Sequence, residues 1–135
     1  MKKSKIALFL ALGLSMGLTS CYESMEDRAE RECKEYTEKN CPTPERDNTI
    51  LDSLAFDRAT RTMNHYYTLT GPADDTAQFV GNHAQLHEAL LTDLKNRTEM
   101  KIYMDEDFNF GFIYRSQKDK QLVLFHDTLK PGEYK

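Results

Sequence analysis

Residues 108–115, FNFGFIYR, carry the most regular pattern in this chain. An aromatic side chain stands at every second position from Phe108 to Tyr114, and Asn, Gly and Ile fill the positions between them. This period of two is typical of a β-strand that buries one face. After the polar residues 116–120, the apolar run LVLF follows at 122–125. The two segments therefore predict a β-hairpin.

A second hairpin is predicted earlier in the chain. Residues 50–56, ILDSLAF, favour a strand, and Asp57-Arg58-Ala59 favours a turn. Residues 60–69 then alternate and are rich in threonine and tyrosine, which are common in strands. One face of this strand would carry Met63, His65, Tyr67 and Leu69.

Helical periodicity separates the two hairpins. The apolar stripe of the first predicted helix consists of Leu86, Leu90, Leu91 and Leu94. Residues 100–104 fit either a strand or a helical turn, and we favour a short second helix. The order ββααββ predicts an α+β fold, in which two β-hairpins form an antiparallel sheet and one or two helices pack on one of its faces.

The beginning of the sequence has the features of an export signal. Lys2, Lys3 and Lys5 precede an apolar run at residues 6–18, and small residues follow it. A basic start, a short apolar stretch and small residues describe a secretory signal peptide. The run is too short for a membrane-spanning helix, which needs about 20 apolar residues. We therefore expect residues 1–20 to be removed.

Leu18-Thr19-Ser20-Cys21 resembles the lipobox of bacterial lipoproteins. The resemblance implies cleavage before Cys21 and lipidation of its sulfur with acyl chains such as palmitate. Two or more acyl chains give a stable membrane anchor. Tyr22 follows the cysteine in place of the aspartate that often marks retention in the inner membrane, so we expect an outer-membrane protein.

Residues 21–47 are expected to form the lipidated N-terminus and a charged tether helix. The apolar stripe of that helix is narrow and consists of Met25, Ala29, Cys33 and Tyr36. Such a helix should be mostly solvated and should dock weakly, if at all. Pro42 and Pro44 would end it. Residues 48–135 would then form the small α+β domain.

Charge limits the possible partners of the mature protein. Removing residues 1–20 takes away three of the 18 basic residues and none of the 22 acidic ones, which leaves a formal charge of −7. A nucleic-acid-binding face needs clustered Lys and Arg, so nucleic acid is excluded as an expected partner.

Cys33 and Cys41 form the one pair left if Cys21 is lipidated. An exported protein lies in a compartment that permits disulfides, so we expect these two residues to be bonded. Eight helical residues span about 12 Å, whereas a disulfide needs Cα atoms within about 7 Å. The bond therefore requires the helix to end and the chain to turn back before Cys41. The alternative is two unpaired thiols.

Four segments carry a resemblance to a family. They are CPTPERDNTILDSLAFD at 41–57, TMNHYYTLTG at 62–71, DEDFNFGFIYRS at 105–116 and FHDTLKPGEY at 125–134. Together they resemble small lipoproteins of Bacteroidetes-type bacteria that have no known activity. The resemblance covers most of the chain from Cys41 onward. It implies a location in the cell envelope and provides no catalytic residues.

Catalytic and metal-binding patterns are weak. His83 and His87 lie four residues apart on a predicted helix, but a zinc site needs at least a third ligand. Asp105, Asp107 and Asn109 resemble the start of a calcium loop, but its required Gly and Glu are missing. No nucleophile elbow or phosphate loop is present. We therefore predict no enzyme activity, no metal and no cofactor, and a small metal-dependent hydrolase is the alternative.

The aromatic residues of the sheet suggest recognition of a protein. One sheet face would pack on the helices, and the other would expose side chains suited to protein contacts. Tyr66 and Arg115 are the candidate partner-binding residues on that face. Alternatively, the aromatics are ordinary core and cross-strand pairs.

We therefore predict a non-enzymatic protein-binding lipoprotein of the envelope. It would be an accessory, inhibitor or immunity-type protein, and its partner an envelope protein or an incoming toxin. A structural spacer without a specific ligand is the alternative. Asp75-Thr76-Ala77 also resembles the acceptor motif for O-glycosylation in Bacteroidetes, and Thr76 is the candidate acceptor because it lies in a predicted loop. Similar motifs occur at Ser53 and Thr128, within predicted strands.

Overall fold

The computed structural model describes residues 22–135. The predicted signal peptide and the predicted lipidation site Cys21 lie outside the described residues. The elements, in chain order, are α1 (Met25–Asn40), β1 (Thr49–Asp57), β2 (Thr62–Leu69), α2 (His83–Asn96), α3 (Lys101–Asp105), β3 (Asn109–Ser116), β4 (Val123–Leu129) and α4 (Pro131–Tyr134). Short 3₁₀ turns occupy Gly71–Ala73, Thr76–Gln78 and Thr98–Met100. Within residues 22–135, no helix has the length and apolar character needed to cross a bilayer.

The predicted α+β class and both hairpins are confirmed, and residues 100–104 are largely helical as favoured. The purely antiparallel sheet is wrong. The strand order is β1-β2-β3-β4, and β2 pairs with β3 in parallel, from Thr62 opposite Asn109 to Leu69 opposite Ser116. Parallel neighbours need a long crossover, and α2 and α3 provide it between β2 and β3. The sheet is therefore mixed, with two antiparallel hairpins joined side by side.

The core lies on one face of the sheet, beneath the helices. Phe108, Phe110 and Phe112 are fully or almost fully buried, as the alternation predicts. Tyr134 of α4 reaches the same layer, and its hydroxyl donates to the carbonyl oxygen of Phe108 at 2.6 Å. Adjacent strands stack their rings on this face, for example Tyr67 on Tyr114 with centroids 4.6 Å apart. These aromatic side chains fix which face of each strand is buried.

Helix α1 packs against the sheet, so the prediction of a weakly docked, solvated tether helix is wrong. Ala29 is 0% exposed and Cys33 is 2% exposed, and both belong to the core. The hydroxyl of Thr37 accepts from the Leu54 amide at 2.8 Å and donates to the Leu54 carbonyl at 3.1 Å. Arg58, after β1, pairs with Asp27 and with Glu30. The stripe is narrow, but small residues within it let α1 approach β1 closely.

Cys33 and Cys41 are both free in the described structure, which contradicts the predicted disulfide. Helix α1 continues through Asn40, and the Cys41 amide still donates to the Thr37 carbonyl at 3.0 Å. The helix therefore keeps the two residues too far apart for a bond. Burial raises the pKa of the Cys33 thiol to about 11, which makes it unreactive at neutral pH.

The two ends of the sheet are named here the proximal and the distal end. The proximal end holds Asp57 and Thr62, and α1 begins beside it because Asp27 contacts Arg58. The distal end holds Leu69 and Ser116. A strand rises about 3.3 Å per residue, so β2 separates the two ends by roughly 23 Å.

Candidate functional site

The candidate partner-binding residues Tyr66 and Arg115 lie on the sheet face opposite the core. Their strands are neighbours, and the Arg115 guanidinium lies 5.7 Å from the centre of the Tyr66 ring. Arg115 is exposed, whereas Tyr66 is half-buried. The structure therefore brings the two side chains together on one surface. Their role in binding stays a prediction.

His83 and His87 do not converge on a common point. His83 packs against the Phe125 ring at 5.0 Å, whereas His87 lies between two carboxylates. Its Nδ1 is 2.6 Å from Asp127 and its Nε2 is 2.8 Å from Glu133. Within residues 22–135, no group of three or more His, Cys, Asp or Glu side chains has the geometry of a metal site.

The surroundings of His87 favour its charged form. A neutral imidazole offers one donor and one acceptor, whereas an imidazolium donates from both nitrogens. The hydrogen bond to Asp127, supported by the nearby charge of Glu133, raises the pKa of His87 above its ordinary value. His87 thus links α2, β4 and α4 and acts as a structural clamp.

His65 is a core residue. It is 2% exposed, and its Nδ1 donates to the Gly111 carbonyl at 3.1 Å. Burial lowers the pKa of His65 to about 4, so the ring is neutral at physiological pH. It stacks on Phe112 with centroids 4.8 Å apart.

The residues that resemble a calcium loop are used elsewhere. Asp105 pairs with Lys101 at 3.3 Å, and Asp107 contacts Lys135. Asn109 donates to the Thr60 carbonyl at 2.8 Å. Thr76, the candidate glycan acceptor, is exposed at the start of a 3₁₀ turn.

The feature best suited to binding is an apolar groove of about 590 Å³ at the distal end, which we call the distal groove. Its floor comes from three adjacent strands and consists of Leu69, Tyr114 and Phe125. One wall is a face of α2 formed by Leu86, Ala89, Leu90 and Asp93. The other wall is the loop after β2 and consists of Pro72, Ala73, Gln78 and Phe79.

The loop that forms the second wall is fixed at several points. Buried Asp74 accepts from the Lys118 amide at 3.0 Å, and hydrogen bonding from Ser116 lowers the pKa of its carboxyl. Phe79 stacks on Phe125 with centroids 6.0 Å apart. Val80 follows and is 77% exposed. The loop therefore forms a preformed wall that ends in an exposed apolar residue.

The chemistry of the distal groove is that of apolar burial. Asp93 is its one charged lining residue, and its carboxylate is 2.7 Å from Arg97. Two turns of α2 contribute side chains at spacings of three, four and seven, so the wall is a continuous helical stripe. Volumes of 300–1,000 Å³ are typical of ligand pockets. The groove can accept apolar side chains and contains no arrangement for acid–base or nucleophilic chemistry.

The sequence indicated only part of this groove. The leucines of α2 were expected to cover the sheet, but Leu91 and Leu94 are the buried ones, whereas Leu86 and Leu90 line the groove. The leucine stripe is wider than packing against the sheet alone requires. That extra width was the sequence signal for a second apolar surface on α2. Residues 70–80 have no regular period, so the second wall could not be placed.

Fold and groove together define a small two-layer α+β domain with an apolar groove at one end of its sheet. The chain belongs to the family of domains of unknown function DUF8479, which matches residues 24–125. This match begins at the first turn of α1, which agrees with the packing of that helix in the core. No curated protein sequence matches the chain significantly.

Two solved structures share the fold. A candidate secreted protein from Pseudomonas aeruginosa aligns with a TM-score of 0.65 at 7% identity, covering 84% of this chain and all of that protein. The pilotin EpsS of the Vibrio vulnificus type 2 secretion system aligns with a TM-score of 0.59 at 8% identity, covering 82% of this chain and 91% of the pilotin. At these identities the likeness shows the fold alone.

Proposed function

We propose that this protein is a lipoprotein anchored to the outer membrane through Cys21, and that it binds an apolar segment of another envelope protein in the distal groove. It acts as a non-enzymatic binding module. The observation that carries this proposal is the apolar lining of the groove, in which Asp93 is already paired with Arg97.

The position of the groove supports a protein partner over the membrane itself. Only Tyr22, Glu23 and Ser24 separate Cys21 from α1, and α1 begins at the proximal end. A lipid on Cys21 would hold that end near the bilayer. The distal groove lies roughly 23 Å further along the strands. It would therefore face away from the lipid and toward other proteins of the envelope.

Two further observations support the envelope location. The signal peptide and the lipobox-like LTSC end before the first residue that the family matches. One of the structures with this fold is a pilotin of a secretion system. A secretion-system component with the same fold is compatible with a binding role for this chain.

The anchor is tested by fractionation. Replacing Cys21 with Ser removes the acylated sulfur, so the protein should leave the membrane fraction or stay as an uncleaved precursor. A Cys21→Ser protein that is processed and sedimented with membranes like wild type would refute the anchor.

The groove is tested by capture of cross-linked partners from host membranes. Ala89 is exposed on α2 and lines the groove, so Ala89→Asp adds a charge to the groove without emptying the core. Desolvating an unpaired carboxylate is costly, and we expect at least tenfold less recovered partner. Ala84→Asp, on the same helix and outside the groove, is the matched control. Equal recovery with both variants would show that the groove is not the binding site, and no specific partner with wild type would favour the spacer alternative.

A further inference from the structure

The outer edge of β4 lies beside the distal groove and offers a second means of holding a partner. We propose that the partner segment binds in an extended conformation and adds to β4 as a fifth strand, with alternate side chains directed toward the groove. This inference rests on the proposed function and specifies the form of the partner. The two edges of the sheet differ in how well their backbone groups are protected.

The β1 edge is blocked by hydrogen bonds from within the chain. Thr43 donates from its amide to the Leu51 carbonyl, and its hydroxyl accepts from the Leu51 amide, both at 3.0 Å. The Thr37 hydroxyl bonds both the amide and the carbonyl of Leu54, as described above. Arg46 and Thr49 exchange two further backbone bonds. An irregular register near Asp52 also interrupts this edge. Such devices prevent a strand from pairing with a foreign chain.

The β4 edge has little comparable protection. The Asn109 amide donates to the carbonyl of Arg61, next to β2. The backbone amides and carbonyls of the odd-numbered residues of β3 therefore point toward β2, and those of its even-numbered residues point toward β4. Because Phe112 is opposite Asp127 and Tyr114 is opposite Phe125, these β4 residues pair inward. His126 and Thr128 therefore direct their amides outward.

Of the outward backbone groups of β4, those of His126 are available for pairing. The Thr128 amide donates to the Asp127 side chain at 2.9 Å, and no residue among 22–135 hydrogen-bonds the amide or carbonyl of His126. His126 and Val123 are exposed, the latter by 44%. An exposed edge with few charges is a template for strand addition.

The surroundings of the edge define the chemistry of the added strand. Phe125 belongs both to β4 and to the floor of the groove, so the residue beside it should be large and apolar. Two positions along, the carboxylates of Asp127 and Glu133 flank the single ring of His87, so at least one negative charge remains whether or not that ring is protonated. A lysine or arginine of the partner fits there. The predicted occupant is thus an extended segment with an apolar residue and a basic residue two positions apart.

A second copy of this chain fits this edge less well. Antiparallel pairing of two β4 strands requires a two-fold axis across the sheet, which inverts one copy. Its proximal end, where Cys21 is attached, would then lie beside the distal end of the first copy. Such a pair would place the two anchors at opposite ends of the joined sheet. We therefore infer that the partner is a different protein.

The test uses the full lipoprotein in its host membrane, with the photo-crosslinking amino acid p-benzoylphenylalanine in place of His126 or Val80. The same substitution at Ala55, an exposed residue of the blocked β1 strand, is the control. Mass spectrometry identifies the cross-linked segment, and a synthetic peptide of that segment is added to the purified lipoprotein. Amide hydrogen exchange is then measured at His126 and at Leu54.

We expect positions 126 and 80 to cross-link to the same segment and position 55 to none. The peptide should slow exchange of the His126 amide at least tenfold and leave the Leu54 amide unchanged. Cross-linking from position 80 with unchanged exchange at His126 would overturn strand addition and leave the proposed function standing. Cross-linking to a second copy of this chain would overturn the choice of partner. No cross-link from either position would overturn both proposals.

Discussion

At the scale of single residues, His65 shows how burial converts a polar residue into a structural one. Its alternation with Met63 and Tyr67 places it on the same strand face as those residues from sequence alone, and the structure shows that this face is the core. The hydrogen bond to Gly111 and the stack on Phe112 depend on the neighbouring strand β3, which the sequence could not place beside β2. The buried imidazole is neutral, and this has a measurable effect on stability.

We predict that His65 makes the protein acid-sensitive. Its folded pKa of about 4 lies below the unfolded value of about 6.5, so the unfolded state takes up the proton first. The His65 contribution is present above pH 6.5 and is lost as the pH falls toward 4. Linkage gives a loss of about 2 kcal/mol between pH 7 and pH 4.5.

Urea unfolding at these two pH values measures the effect. Carboxyl groups titrate in the same range, so His65→Gln, which keeps a donor for Gly111 and does not titrate, is the comparison. The free energy of unfolding of wild type should fall by about 2 kcal/mol more than that of the variant. Equal falls in the two proteins would show that His65 is not a buried neutral group.

At the scale of elements, α1 differs most from its prediction. A stripe of four apolar residues among charges suggested a solvated helix, because periodicity measures the width of an apolar face and not how closely it can be approached. Ala29 and Cys33 are small enough to let the helix axis lie close to β1. The ion pairs of Arg58 with Asp27 and Glu30 add contacts between residues about 30 apart in the chain, which no local pattern reveals.

We predict that α1 stabilises the whole domain. Ala29→Glu would place a carboxylate at a site that is 0% exposed, which should cost about 3 kcal/mol or more of unfolding free energy. Lys34→Glu, on the exposed side of the same helix, should cost well under 1 kcal/mol. Chemical denaturation of both variants provides the measurement. Similar unfolding free energies for the two variants would show that α1 is a solvated tether and does not stabilise the domain.

The strands and the turns between them followed from local patterns, whereas the parallel joining of the two hairpins did not. The period of two at residues 108–115 fixes a strand and its buried face but not its neighbour. The helical crossover between β2 and β3 decides that arrangement, and its direction depends on how the whole chain packs. The same limit applied to the distal groove, because its floor and its two walls come from separate parts of the sequence.

At the scale of the whole molecule, attachment and recognition would occupy opposite ends. The chain enters the domain at the proximal end, and the apolar groove opens at the distal end. The β1 edge is blocked and the β4 edge beside the groove is open, so a partner of the proposed kind would have one favourable direction of approach. The Tyr66–Arg115 pair lies on the bare sheet face and is the competing surface.

We propose that the partner binds in the distal groove and not on the bare sheet face. This is tested by the affinity of the purified protein for its cross-linked partner, measured by calorimetry for two variants. Ala89→Asp should weaken binding by about thirtyfold or more, as expected for loss of about 2 kcal/mol at an interface centre. The double variant Tyr66→Ala with Arg115→Ala should bind within about threefold of wild type, which is typical of residues outside such a centre. The reverse result, in which the double variant loses binding and Ala89→Asp retains it, would contradict binding in the distal groove. It would assign recognition to the bare sheet face.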